Sequence, residues 1–81
     1  STVHANNSIN LNTIEEMCDT WITNGIATKK GKIVSLNLQS MGYDKLLSTG
    51  STKQSYKLTI NAASAKAVEK IEAAGGEILN G

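Results

Sequence analysis

Two adjacent glycines, Gly75 and Gly76, separate a helix-forming segment from a short apolar run, and this pair limits the folds open to the chain more than any other feature. The preceding residues, ASAKAVEKIEAA, begin with Ser64 as a good N-cap and are rich in alanine. Ala67, Val68, Ile71 and Ala74 fall on one helical face, with Lys66, Glu69 and Lys70 turned outward. A glycine just past the last turn takes the left-handed conformation that side chains resist, and a second one lets the chain double back unobstructed. Glu77, Ile78 and Leu79 then read as a short strand. The pair therefore predicts a compact helix-to-strand reversal. Phosphate-cradling glycine loops stand ahead of a helix, where free N–H groups and the positive dipole end meet the anion. These glycines follow the helix, which argues against such a loop.

Upstream, NTIEEMCDTWITNG reads as a second helix, with Asn12 as cap, Glu15 three residues on as in a capping box, and Gly25 placed to end it. Ile14, Met17, Cys18, Trp21 and Ile22 share one face, which reads as a core face in preference to a ligand pocket. Val34, Leu36 and Leu38 alternate with Ser35 and Asn37, and Tyr56, Leu58 and Ile60 alternate with Lys57, Thr59 and Asn61. Both have the period of a half-buried strand. Between them, Leu46 and Leu47 are expected core anchors in a segment punctuated by Gly42 and Gly50. Residues 1–8, polar and rich in Asn and Ser, are expected to be a flexible segment, leaving 9–81 as one small globular domain.

Composition removes several function classes. No apolar run approaches the roughly 20 residues of a membrane span, and STVHANNS lacks the parts of a signal peptide, so the chain reads as soluble. The single Cys18 has no internal partner and reads as a small buried hydrophobe in preference to a reactive thiol; it fits a reducing compartment. The single His4 reads as solvated. No cysteine or histidine cluster has metal-ligand spacing, and no base and nucleophile stand near each other in sequence, so no catalytic residue, metal or cofactor is expected.

Charge is unevenly placed. Residues 1–28 carry Glu15, Glu16 and Asp19 and no lysine, whereas 29–57 carry six lysines against Asp44 alone. Lys29, Lys30 and Lys32 are expected on an exposed KKGK turn, where a solvated hairpin tip and an anion contact are both open readings. All eight basic residues are lysines. Lysine neutralises phosphate as a point charge but lacks the bidentate fork of arginine, so anion binding here would depend on position and field.

GYDKLLSTG at 42–50 and YKLTINAASAKAVEKIEAAGGEI at 56–78 together resemble the C-terminal globular domain of large-subunit ribosomal protein fifteen, archaeal type, related to the eighteen-e and eukaryotic twenty-seven-a families. Gly42, Tyr43, Lys45, Leu46, Leu47 and Gly50 fill the first part of the family pattern. Ser64, Ala67, Ile71, Glu72, Gly75 and Gly76 fill the second. The resemblance implies an α/β fold, an irregular superhelix of β-β-α units, and a structural role in the large ribosomal subunit in the cytoplasm. It also implies a basic N-terminal arm threading into ribosomal RNA, and the sequence reads as a truncated or divergent form without that arm. Where relatives carry Leu-Gly-Lys-Gly or Leu-Gly-Arg-Gly, this chain has Leu47-Ser48-Thr49-Gly50, losing a basic residue but keeping the glycine turn.

The leading expectation is therefore a protein that binds large-subunit ribosomal RNA and sits among neighbouring ribosomal proteins, with neither membrane nor small-molecule substrate. Lys29, Lys30, Lys32, Lys45, Lys53 and Lys57 are the candidate phosphate contacts, and Tyr43, Ser51 and Thr52 the candidate hydrogen-bonders to sugar or phosphate. The alternative is a protein-interaction module reusing the fold, with Glu15, Glu16 and Asp19 as an acidic helix surface.

Overall fold

A computed structural model describes residues 7–80 of the chain. His4 and most of the expected flexible segment lie outside the described residues, whereas Asn7 and Ser8 are already tied in: the Asn7 carbonyl accepts from the Asp44 amide at 2.7 Å. Strand β1 (Ser8–Asn10) runs directly into helix α1 (Leu11–Thr23), followed by β2 (Ala27–Lys30), β3 (Ile33–Asn37), β4 (Lys45–Leu47), β5 (Ser55–Thr59), β6 (Ala62–Ala63), α2 (Ala65–Ala73) and β7 (Glu77–Leu79). The mixed α/β class expected from the sequence is the one the chain adopts.

Two sheets form. One is a small parallel sheet ordered β1-β4-β6; the other is ordered β2-β3-β5-β7, with β2 antiparallel to β3 and the remaining pairs parallel. The alternation read in the two long strands holds. Val34, Leu36, Leu38, Tyr56, Leu58 and Ile60 are all buried, against Ile14, Cys18 and Trp21 of α1 and Ala67 and Ile71 of α2 in one continuous core. Fully burying a Leu or Ile contributes about 1.5–3 kcal/mol, so this shared core is what joins the two sheets.

Four local expectations are corrected. The N-cap of α1 is Asn10, in extended conformation with its side chain accepting from the Thr13 amide at 2.9 Å; Asn12 is already inside the helix. The cap falls earlier because starting the helix at Leu11 buries that side chain completely. Leu47 is 37% exposed, since strand alternation in β4 turns Leu46 inward and both its neighbours outward. Lys29 and Lys30 belong to strand β2, leaving Gly31 and Lys32 as the turn. Lys70 is half-buried and bonded, as described below.

The Gly75-Gly76 reversal forms as predicted. Gly75 has φ +89°, its amide donates to the Glu72 carbonyl, and the Gly76 amide donates to the Ile71 carbonyl, the paired bonds of a Schellman ending. Strand β7 then pairs with β5 in the register Leu58↔Ile78.

Candidate nucleic-acid interface

The parallel register of β3 and β5 builds a basic groove at one end of the sheet. Ile33 lies opposite Ser55, so the turn that feeds β3 and the loop that feeds β5 emerge side by side at one end of the sheet. Between them lies a groove of about 270 Å³ lined by Lys29, Gly31, Lys32, Lys53, Gln54 and Ser55. Three lysines from two segments of the chain, Lys29 and Lys32 on one side and Lys53 on the other, thus surround one depression. Among the described residues, none of the three has a carboxylate within salt-bridge distance.

The 48–54 loop that forms one wall is strung between both helices. From α2, the Lys70 ammonium donates to the carbonyls of Ser48 at 2.8 Å and Gly50 at 2.7 Å. From α1, the Asn12 amide donates to the Thr49 carbonyl at 3.1 Å. One oxygen of Glu15 accepts from the amides of Lys53 at 2.8 Å and Gln54 at 3.3 Å, and from the Tyr56 hydroxyl at 3.1 Å. The Gln54 side-chain amide donates to the Cys18 sulfur at 3.0 Å. Bonds to charged groups are stronger than neutral ones, so Glu15 and Lys70 are the principal fasteners. Burial first, then Cys18 and Glu15, push the Tyr56 hydroxyl well above the usual phenol range, so it stays a proton donor to this carboxylate.

The other candidates are dispersed. Lys30 shares the opposite, open face of the sheet with its cross-strand partner Ile33. Lys57 also lies on that face and stands 3.8 Å from its cross-strand neighbour Glu77, a pair about half exposed and therefore weak. Lys45 is exposed on β4 of the other sheet. Tyr43 is half-buried and packs on the core. Ser51 is exposed in the loop, and the Thr52 hydroxyl oxygen is enclosed with no hydrogen-bond partner among the described residues. Of the expected acidic surface, Glu16 and Asp19 are exposed, but Glu15 is committed to the loop. No group of three or more His, Cys, Asp or Glu among the described residues is placed to hold a metal ion, and no described helix is long and apolar enough to cross a membrane.

Sequence reasoning missed Glu15, Gln54 and Lys70 as parts of this region. Their partners lie 20 to 41 residues away, and no local spacing signals such contacts.

The model of the family described as ribosomal proteins 50S-L15, 50S-L18e and 60S-L27A matches residues 8–79. The chain belongs to this family. Among similar proteins is the large ribosomal subunit protein uL15 of Methanobrevibacter smithii, 38% identical over 73 residues that make up 90% of this chain and 50% of that protein. Its counterpart in Hyperthermus butylicus is 43% identical over 72 residues, 88% of this chain and 47% of that one. That of Archaeoglobus fulgidus is 37% identical over 71 residues, 88% and 40% respectively. The chain spans about half the length of these family members.

Proposed function

We propose that the chain is a non-enzymatic structural constituent of the large ribosomal subunit, held to large-subunit ribosomal RNA through lysine–phosphate contacts and bordered by neighbouring ribosomal proteins in the cytoplasmic ribosome. The observation that carries this reading is the convergence of Lys29, Lys32 and Lys53 on one groove, in a member of a family whose relatives are named for that subunit. Lysines without arginine suit phosphate contacts, which place a protein on RNA without reading bases. Lys30, Lys45 and Lys57 extend the basic surface to other faces, where they engage phosphates outside the groove. Ser51, exposed in the same loop as Lys53, supports hydrogen bonding to sugar or phosphate, whereas Tyr43 is half-buried on the core and the Thr52 hydroxyl is enclosed.

One observation favours a second reading, a protein-interaction module. Ile26, Ile33 and Leu79 are exposed by 46%, 42% and 37%, and a shallow groove on the open sheet face runs between Ile26 and Leu79. Exposed apolar side chains gathered on one face are the usual mark of a protein contact.

Co-sedimentation separates the two readings. The labelled chain, mixed with isolated large and small subunits at low salt, is expected to travel with the large subunit and to be released by ribonuclease treatment. Retention by a ribonuclease-stripped protein fraction, with no dependence on RNA, would favour the interaction module.

A further inference from the structure

We propose that the groove between the Gly31–Lys32 turn and the 48–54 loop is a discrete site for RNA backbone phosphate, and that Glu15, though an anion, is the positioning residue that makes it one. The inference rests on the ribosomal reading above and adds to it the location of the site and the part that shapes it.

Lys29 and Lys32 belong to a tight hairpin whose geometry is set by strand pairing and the positive φ of Gly31, +62°. Lys53 stands on the other wall, in a loop with no regular structure, and would wander without anchors. Its backbone amide and that of Gln54 both point at one Glu15 oxygen. Two successive amides aimed at one point form an anion-binding concavity, and here the protein fills it with its own carboxylate. The negative charge is thereby turned away from the groove and into the backbone. The effect is to hold the Lys53 stem across from Lys29 and Lys32, so that three ammonium groups act on one phosphate segment.

This arrangement predicts an outcome opposite to simple charge counting. Removing an acid from a protein that binds a polyanion ordinarily strengthens binding or leaves it unchanged. Removing Glu15 should weaken it, because the loop then no longer holds Lys53 in place. Glu16 is the natural control: it is exposed on the same helix and carries the same charge.

The test measures binding of the whole chain to large-subunit ribosomal RNA across a salt series. E15A, K53Q, the double variant E15A/K53Q and E16A are compared with wild type below their melting temperatures. Each phosphate neutralised contributes roughly 0.7–0.9 to the log–log salt slope. E15A and K53Q are each expected to make the slope shallower by about that amount, and the double variant to be no worse than either alone. E16A is expected to keep the wild-type slope with equal or tighter binding. E15A behaving like E16A, or effects of E15A and K53Q that simply add, would overturn the positioning role.

A measurement on unmodified protein guards against an E15A variant that fails to fold. RNA should protect Lys29, Lys32 and Lys53 from amine acylation and leave Lys66, exposed on α2, reactive. Equal protection of Lys66, or no protection of the three, overturns the groove as the site. Wild type that binds no RNA at low salt overturns the ribosomal reading itself, a result distinct from binding that is indifferent to these lysines.

Discussion

Gly76 lies so close to Tyr56 that a Cβ at position 76 would overlap the Tyr56 carbonyl oxygen and come within 2.8 Å of its amide nitrogen. The obstruction is backbone on a central strand, which cannot swing aside as a side chain can. The second glycine of the pair is therefore a packing requirement of the β5–β7 contact. Gly75 is a conformational one, with φ +89° and the Ser55 hydroxyl 3.0 Å from where a Cβ would sit. Gly76→Ala is expected to cost about 3 kcal/mol or more, as overpacking against an immovable neighbour does. Gly75→Ala should cost about 1 kcal/mol. Urea unfolding of the two variants checks the order; equal losses would contradict it.

The Tyr56 hydroxyl supplies a pH signature. Its proton is held in the folded chain by burial and by its neighbours, whereas in the unfolded chain it leaves near pH 10. The folded state binds more protons above that pH. The associated stability is thus fully present below about pH 10 and is lost as pH rises toward the elevated folded value. Tyr56→Phe should lose about 1.5 kcal/mol at pH 7, from the missing bond to Glu15, but its stability should fall less steeply than wild type above pH 10. Parallel declines in urea midpoint between pH 9 and 11 would contradict this assignment.

The enclosed hydroxyl of Thr52 has no hydrogen-bond partner among the described residues. An unsatisfied buried polar atom costs about 1–3 kcal/mol, and valine has nearly the same shape. Thr52→Val is expected to raise the melting temperature by a few degrees, consistent with roughly 1 kcal/mol in a domain of this size. A lower melting temperature would show that the hydroxyl is satisfied in solution.

Asn10 and Asn12 give a direct comparison at the start of α1. Asn10→Ala should cost about 1 kcal/mol by freeing the Thr13 amide, and Asn12→Ala distinctly less, because among the described residues Asn12 bonds the 48–54 loop through its backbone amide, which the substitution keeps. Thermal melts of the two variants decide which residue caps the helix.

The legible parts of the fold were those governed by period. The stripe Ile14, Cys18, Trp21 and the alternations Val34, Leu36 and Tyr56, Leu58, Ile60 each repeat often enough to declare an element and its buried face. Strands β1, β4 and β6 span two or three residues, too few for any period to show, and their pairing comes from neighbours far along the chain. The burial of Leu47 is illegible for the same reason: in KLL, one inward position leaves two outward ones, and sequence does not say which leucine is which. At the candidate interface the lysines were visible as a basic middle segment, but their grouping was not. The Ile33↔Ser55 register that joins two distant loops is a tertiary fact. Glu15 read as a capping acid because its spacing from Asn12 fits one; its partners in the 53–56 segment win because they offer it three donors.

The salt dependence of binding to large-subunit ribosomal RNA tests most directly whether this family member meets RNA through its lysine surface, as proposed. Wild type should show a steep log–log slope, and joint replacement of Lys29, Lys32 and Lys53 by glutamine should flatten that slope by roughly 2 to 3, as the loss of three phosphate contacts requires. An identical slope in wild type and the triple variant would contradict the account.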